Sequence, residues 1–322
     1  MSRILLSLLL LLSLAQAEDT LASWNDGKSK NNIISYVTSV TDPKSADFIP
    51  VVDRIAVFDN DGTLWSEQPM YFFIYFTMDR ITALAPQHPE WKTTEPFKSA
   101  LNKDIEGISK TGMEGLSKLI MATHADTTAK EFDKIVLEWI KTAKHPTKNV
   151  HYTQLVFQPM LELLTYLRAN DFKTFIVSGG GIDFMRPWAS EVYGIPSSQI
   201  VGSKLEVKYD NKQIVRLPKL RFNDDKDNKP VGIHYHIGKH PVAAFGNSDG
   251  DFAMMEYTEA NKKYKTLQLY VHHTDDKREV AYDRKSHVGK LDKGLDYANE
   301  HNWTVVDMKK EWKVVFPFEM KR

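Results

Sequence analysis

Ile55-Ala56-Val57-Phe58-Asp59-Asn60-Asp61-Gly62-Thr63 is the stretch on which the reading of this chain turns. Four apolar residues run without interruption and stop at a carboxylate. A short unbroken run of this kind predicts a strand buried on both faces, as in a parallel sheet. Asp59 and Asp61 stand at i and i+2, which in an extended chain puts both carboxylates on one side. Hard oxygens so placed suit Mg²⁺, and one carboxylate can act as nucleophile while the other moves protons. Gly62 lets the backbone turn sharply. Alone, the same residues would equally make a surface turn.

Comparable strands recur along the chain. Thr174-Phe175-Ile176-Val177 predicts a second buried strand ending at Ser178. Val242-Ala243-Ala244-Phe245, Thr266 to Val271 and Trp303 to Val306 predict three more. Helical patterns lie between them. Pro159 opens one with Met160, Leu163, Leu164 and Leu167 inward, closing near Asn170. Asp183 is expected to cap another that carries Phe184, Trp188 and Val192 and stops at Gly194. Ile33, Ile34, Val37 and Val40 mark a short N-terminal helix, and residues 204–217 alternate about Asp210-Asn211 as a hairpin should. From about 70 to 150 the character changes. Tyr71 to Leu84 is long and aromatic, and Asp126 to Lys144 sets Phe132, Ile135, Val136, Trp139 and Ile140 on one helical face behind a Thr128…Glu131 capping box. No strand pattern appears there. The predicted fold is α/β: a doubly wound, mostly parallel, Rossmann-like sheet from residues 48–66 and 151–322, with an all-helical cap inserted at 67–150.

Ligands of such sheets bind beyond the carboxyl ends of the strands, so the residues after each strand are the informative ones. Ser178-Gly179-Gly180-Gly181 follows the second strand and offers a hydroxyl and bare N–H groups to a phosphate oxygen. Gly246-Asn247-Ser248-Asp249-Gly250-Asp251 is a second acidic loop after Phe245. Lys229 falls at a predicted helix start, where a cation can neutralise a transferring phosphoryl group. Lys226 and Lys239 compete for that role, but Lys229 directly precedes the short helix.

Taken in order, these four segments resemble the motifs of the haloacid dehalogenase superfamily. The second Asp, two residues after the first, is similar to the phosphatase branch. The inserted helices, the Ser-Gly-Gly and the hairpin resemble its phosphoserine-phosphatase-type members with a helical cap. The resemblance spans roughly residues 53–272. It implies that Asp59 is the nucleophile, that Asp61 is the acid and then the base, and that Ser178, Gly179 and Lys229 hold the phosphate. It also implies a Mg²⁺ site from Asp59, the Asp61 carbonyl, Asn247 and Asp251. At Asn247 the family pattern has Asp; an amide oxygen still coordinates Mg²⁺, with one charge fewer, and the extra Asp249 is the other candidate to complete the set. Glu67 lies one residue from where serine-specific members read their substrate, so serine specificity is not carried over.

Composition narrows the rest. The chain has 322 residues, 42% hydrophobic, enough for a large core, and 42 basic against 42 acidic residues. Zero net charge argues against a general nucleic-acid or acidic-membrane binder. With no cysteine, disulfides, thiolate metal sites and cysteine nucleophiles are excluded. Arg3, the apolar run Ile4 to Ala15 and Ala15-Gln16-Ala17 fit a secretory signal peptide over 1–17, too short to span a bilayer. The expectation is therefore a periplasmic or secreted, Mg²⁺-dependent phosphomonoesterase, not membrane-bound after cleavage and acting on a small phosphorylated substrate through an aspartyl-phosphate. A phosphate-ligand binding protein of weak activity and a phosphotransferase are the alternatives. Among the remaining candidates, His272 and His273 follow a strand and so could border the site. Arg186, one turn into the helix after Ser178, could hold a second anion or simply be solvated.

Overall fold

The computed structural model describes residues 20–320, so the signal-peptide reading of 1–17 lies outside the described residues. Seven strands form one sheet in the order β4-β3-β2-β1-β5-β6-β7: β1 Ile55–Phe58, β2 Lys173–Gly181, β3 Ile200–Asp210, β4 Gln213–Phe222, β5 Ala243–Gly246, β6 Leu267–His272 and β7 Thr304–Asp307. Every pairing is parallel except β3 with β4. The sheet grows outward from β1 in both directions. The expected doubly wound α/β class holds, and the order reverses between β1 and β5.

The strands exist for the reasons the sequence supplies. All four residues of β1 and of β5 are buried, as central parallel strands covered on both faces must be. Among the described residues twelve α-helices accompany the strands. α1 (Lys28–Thr41) precedes β1, and α2 (Phe72–Leu84), α3 (Phe97–Leu101), α4 (Ile105–Lys110), α5 (Gly112–His124) and α6 (Ala129–Thr142) lie between β1 and β2 together with α7 (Gln158–Ala169). The rest are α8 (Ile182–Tyr193), α9 (Asn228–His236), α10 (Phe252–Glu259), α11 (Lys293–Glu300) and α12 (Met308–Glu311). The Thr128 capping box opens α6, and Gly194, at φ 68°, ends α8 in the left-handed region that favours glycine. Among the described residues no helix is long and apolar enough to cross a membrane.

Three local expectations are corrected. β2 does not end at Ser178; it runs on through the glycines to Gly181, with an irregular register against β3 between Ser178 and Gly181. Glycine imposes no side chain on the neighbouring strand, so the ladder can continue there. Asp183 is not the cap of α8; Gly181 is, and Asp183 sits in the first turn facing Arg216 at 3.6 Å. The hairpin is longer than 204–217, and its turn is at Asn211-Lys212, both at positive φ, rather than Asp210-Asn211. The first residues of β3 extend the parallel sheet before the hairpin departs toward α5 and α6. There Arg216 N donates to the Thr127 carbonyl and Asp126 N to the Arg216 carbonyl, tying the hairpin to the inserted helices.

Candidate active site

Register creates the site. Phe58 aligns with Ile176 on one side and Phe245 on the other, so the residues that follow Phe58, Val177 and Phe245 come level at one end of the sheet even though β2 itself runs on to Gly181. Asp59, Ser178 and the loop from Gly246 to Asp251 therefore emerge together at one sheet edge. Asp59 N still donates to the Phe245 carbonyl at 2.9 Å, which fixes its backbone against β5. The chain then turns, with the Asn60 carbonyl accepting from Thr63 and Leu64 N. Gly62 takes φ +73°, and a Cβ there would lie 2.0 Å from the Asn247 amide nitrogen. Only glycine fits this position.

Asp59, Asp61, Ser178, Gly179, Lys229 and Asp251 line one cavity of about 260 Å³. Lys229 is its electrostatic centre. Its buried ammonium donates to Asp59 Oδ1 at 2.7 Å, to Asp251 Oδ1 at 2.6 Å and to the Val177 carbonyl at 3.0 Å. Burial acts to strip its proton, but the two carboxylates outweigh that and hold its pKa above the ordinary lysine value. Of the rival lysines, Lys239 is bonded to Asp53 before β1, at the opposite edge of the sheet, and Lys226 is exposed.

The acids are tuned upward. Burial, and then repulsion from Asp251, raise Asp59 well above the usual carboxylate range despite Lys229. Burial pushes Asp61 up to about 6, opposed by the Trp65 indole N–H, which donates to Asp61 Oδ1 at 2.8 Å. A carboxyl with such a pKa can give and take a proton near neutral pH. Ser178 Oγ accepts from Gly180 N at 3.1 Å, so the hydroxyl is held at the lip of the glycine run.

The acidic loop divides its labour. Asp251 Oδ2 accepts from Asn247 N at 2.9 Å and Ser248 N at 3.0 Å, holding the loop closed. Asn247 is buried behind the cavity wall. Its amide donates to Glu67 Oε1 at 2.6 Å and accepts from the Thr63 hydroxyl at 3.2 Å. Asp249 faces the other way, with Oδ1 accepting from Asp292 and Gly294 N. The donor chemistry around Asp59 suits a hard cation. Asp59 and Asp251 offer carboxylate oxygens on either side of the Lys229 ammonium, while among the described residues no three acidic or histidine side chains converge on one metal position, so a cation here would draw on backbone oxygen as well.

Sequence reasoning passed over the cover of Glu67. Tyr282 donates its hydroxyl to Glu67 Oε1 at 2.7 Å, and Gly289 packs so tightly that a Cβ there would stand 1.9 Å from that oxygen. Burial raises Glu67 well above its ordinary value. Beneath Tyr282 stacks His273, which burial drives down to about 3. Neutral, its Nε2–H donates to the Gly62 carbonyl at 2.7 Å. One of the two strand-end histidines thus buttresses the turn after Asp59. No spacing rule links Tyr282 to Glu67, 215 residues earlier, so only the folded chain reveals it. Of the aromatic run, Tyr71 and Phe73 line the cavity, whereas Phe72 and Phe76 are core.

With this geometry in place, a family model described as haloacid dehalogenase-like hydrolase matches residues 56–256. The chain belongs to that family. The match runs from β1 into α10 and so contains every strand end just described. Solved structures similar to this family member include a protein of unknown function from Bordetella pertussis Tohama I, at 13% identity and TM-score 0.50, covering 79% of this chain and 98% of that one. Another is a conserved functionally unknown protein from Anaerococcus prevotii DSM 20548, at 17% identity and TM-score 0.51, covering 86% and 90%. A phosphoserine phosphohydrolase-like protein from Francisella tularensis subsp. tularensis SCHU S4 matches at 19% identity and TM-score 0.40, covering 70% and 91%. No curated protein matches the chain.

Proposed function

We propose that this hydrolase-family protein is an exported, Mg²⁺-dependent phosphomonoesterase acting on a small phosphorylated metabolite through an aspartyl-phosphate at Asp59. The observation that carries the reading is the Lys229 ammonium bridging Asp59 and Asp251 at the floor of a cavity that Asp61 and Ser178 also line. Ser178, the Gly179 backbone and Lys229 hold phosphate oxygens. An Asp59 oxygen forms the bond to phosphorus as the ester oxygen departs, and Asp61 gives that oxygen its proton. Water then attacks the phosphorus, loses a proton to Asp61 and releases Asp59 with inorganic phosphate. The first transfer leaves Asp59 phosphorylated and Asp61 without its proton, and the second restores both.

Asp59, the Asp61 carbonyl and Asp251 would hold Mg²⁺, with Asn247 or a water from the loop behind them. When bound, the ion cancels repulsion between the phosphate dianion and these carboxylates. Positioning and charge compensation supply most of the rate in such phosphoryl transfers. Export rests on the Arg3, Ile4 to Ala15, Ala15-Gln16-Ala17 pattern. Mass spectrometry of protein from the exporting host, showing an N-terminus near Glu18, is the expected result.

Phosphate release from p-nitrophenyl phosphate in Mg²⁺ tests the reaction. Release by the parent and not by Asp59→Asn supports it. Absence of release by the parent across a panel of small phosphate esters would sink it. Phosphate recovered on an added alcohol instead of water would favour the phosphotransferase.

A further inference from the structure

Glu67 is the acid of this site that the reaction does not use. It lines the cavity, is only 2% exposed, and takes both of its hydrogen bonds on Oε1, from Asn247 Nδ2 at 2.6 Å and the Tyr282 hydroxyl at 2.7 Å. Burial opposes its charge. Among the described residues no basic side chain pairs with it, and the charges that act on it are those of Asp61 and Asp59. Buried charges in proteins are paired or serve a metal.

Two turns are shaped around this one oxygen. Gly62 and Gly289 stand at φ +73° and +68°, and a Cβ on them would lie 2.4 and 1.9 Å from Glu67 Oε1. The next residue, Gln68, donates its Nε2 to the Val288 carbonyl at 2.9 Å, which latches the segment carrying Tyr282 and Gly289 over the acid. That segment follows β6 and lies beyond residue 256, where the family match ends. A cover from outside the matched region is thus fitted to a single carboxylate.

Asn247 gives the acid a purpose. The family motif has an aspartate there, and an amide brings one negative charge fewer to a cation. Asn247 Oδ1 accepts from the Thr63 hydroxyl at 3.2 Å, and a carbonyl oxygen keeps a second lone pair for a metal. Its Nδ2 donates to Glu67, so a carboxylate stands one hydrogen bond behind the amide. A partner in that place fixes a ligand's orientation and raises its basicity, and losing it costs about 10–100-fold in metal affinity. Orientation is decisive for an amide, because turned over it would present N–H groups to the cation.

Resting on the Mg²⁺-dependent reading of the site, we infer that Glu67 is a positioning residue for the metal: from behind Asn247 it supplies the charge that the motif's aspartate would carry and fixes which end of the amide a cation meets. Glu67 itself is no ligand in this scheme, in keeping with the lack of a three-acid cluster among the described residues.

Calorimetric titration of Mg²⁺ into the metal-free full chain at neutral pH tests this without turnover. Glu67→Gln keeps an oxygen for Asn247 and Tyr282 and removes only the charge. Mg²⁺ should then bind at least ~10-fold more weakly. Asn247→Asp alone sets two carboxylates against each other across a 2.6 Å contact and should bind Mg²⁺ no tighter than the parent. The double variant, Glu67→Gln with Asn247→Asp, moves the charge from one position to the other. It should return the dissociation constant to within about threefold of the parent, a rescue that a merely structural role does not give, since two independent lesions add. A Glu67 that stays neutral beside the ion would make Glu67→Gln silent, which overturns the inference. So would a double variant that binds no better than Glu67→Gln, a gain in affinity from Asn247→Asp alone, or a parent without saturable Mg²⁺ binding. If Glu67→Gln does not fold, Asn247→Asp decides by itself. Phosphate release from p-nitrophenyl phosphate is read separately. Metal binding that follows this cycle in a protein that releases no phosphate leaves the inference standing while the phosphomonoesterase fails. Release in Mg²⁺ with an affinity indifferent to Glu67→Gln overturns the inference alone.

Discussion

Lys229 and Asp59 show how one buried cation allows two buried acids to coexist. Taking charges out of water costs several kcal/mol each, and the cost is offset only where hydrogen bonds and opposite charge are both supplied. Lys229 supplies both, to Asp59 and Asp251 at 2.7 and 2.6 Å. Removing either member of the pair is therefore not equivalent. Asp59→Asn keeps an oxygen for Lys229 and removes a carboxyl that burial and Asp251 already raise. Such a group weakens the fold as pH rises above its unfolded value near 4, so the variant should melt no lower than the parent at pH 7 while losing phosphate release. Lys229→Met leaves Asp59 and Asp251 facing each other with no cation between. It should cost about 3–5 kcal/mol in urea denaturation at neutral pH. The loss should shrink toward pH 4, as Asp59 takes up a proton. A Lys229→Met loss that stays the same from pH 8 to pH 4 would show that the two acids are not held by this cation.

At the level of elements, the end of α5 is where the inserted helices meet the hairpin. His124 closes α5, Thr128 opens α6, and Arg216 of β4 binds the carbonyls of both. The capping box and the Phe132 to Ile140 stripe of α6 were legible because they obey local rules three and four residues apart. The hairpin's partnership with α5 was not, since its residues meet Arg216 some ninety positions away. The sheet was legible for a similarly local reason: an unbroken apolar run as short as Ile55 to Phe58, stopped at Asp59, is too short for a helix and suits a strand covered on both faces. Burial drives His124 down to about 3. A histidine whose folded pKa lies below its unfolded value of about 6.5 destabilises the fold as pH falls between those two values. His124→Phe removes that penalty and fits a pocket of Phe rings. Its stability relative to the parent should rise as pH drops from 6.5 toward 4, by up to about 1.4 kcal/mol per unit. Parallel pH-dependent denaturation curves for the two proteins would contradict this.

Across the whole molecule, Asp59, Asp61 and Ser178 were legible as candidates because they stand at strands that announce themselves, and Lys229 because it opens a short helix; the parallel register then brings Asp59 and Ser178 to one end of the sheet. The chain's two ends were not readable in this way. Residues 18–47 look polar with one periodic run, and nothing after about 272 matches a motif. In the folded chain they meet. Trp24 packs edge-on against Trp312 at 5.9 Å, Asn25 N donates to the Glu311 carbonyl and Lys313 N to the Ser23 carbonyl. Trp24 Nε1 donates to the Pro159 carbonyl at 3.0 Å, and Ser23 binds Glu162, so the paired ends strap the start of α7. Such long-range contacts carry no local signature, because two indoles 288 positions apart are silent until both are placed. If the strap is part of the core, Trp24→Ala should cost about 3–5 kcal/mol, the range for emptying a buried tryptophan site. Trp24 does not line the cavity, so kcat/KM measured well below the melting temperature should stay within about twofold of the parent, as for changes remote from a site. Urea denaturation and steady-state rates on the same preparation separate the two. A loss under about 1 kcal/mol would make the strap a surface ornament, and a large fall in kcat/KM at full folding would mean that α7 transmits its position to Asp59.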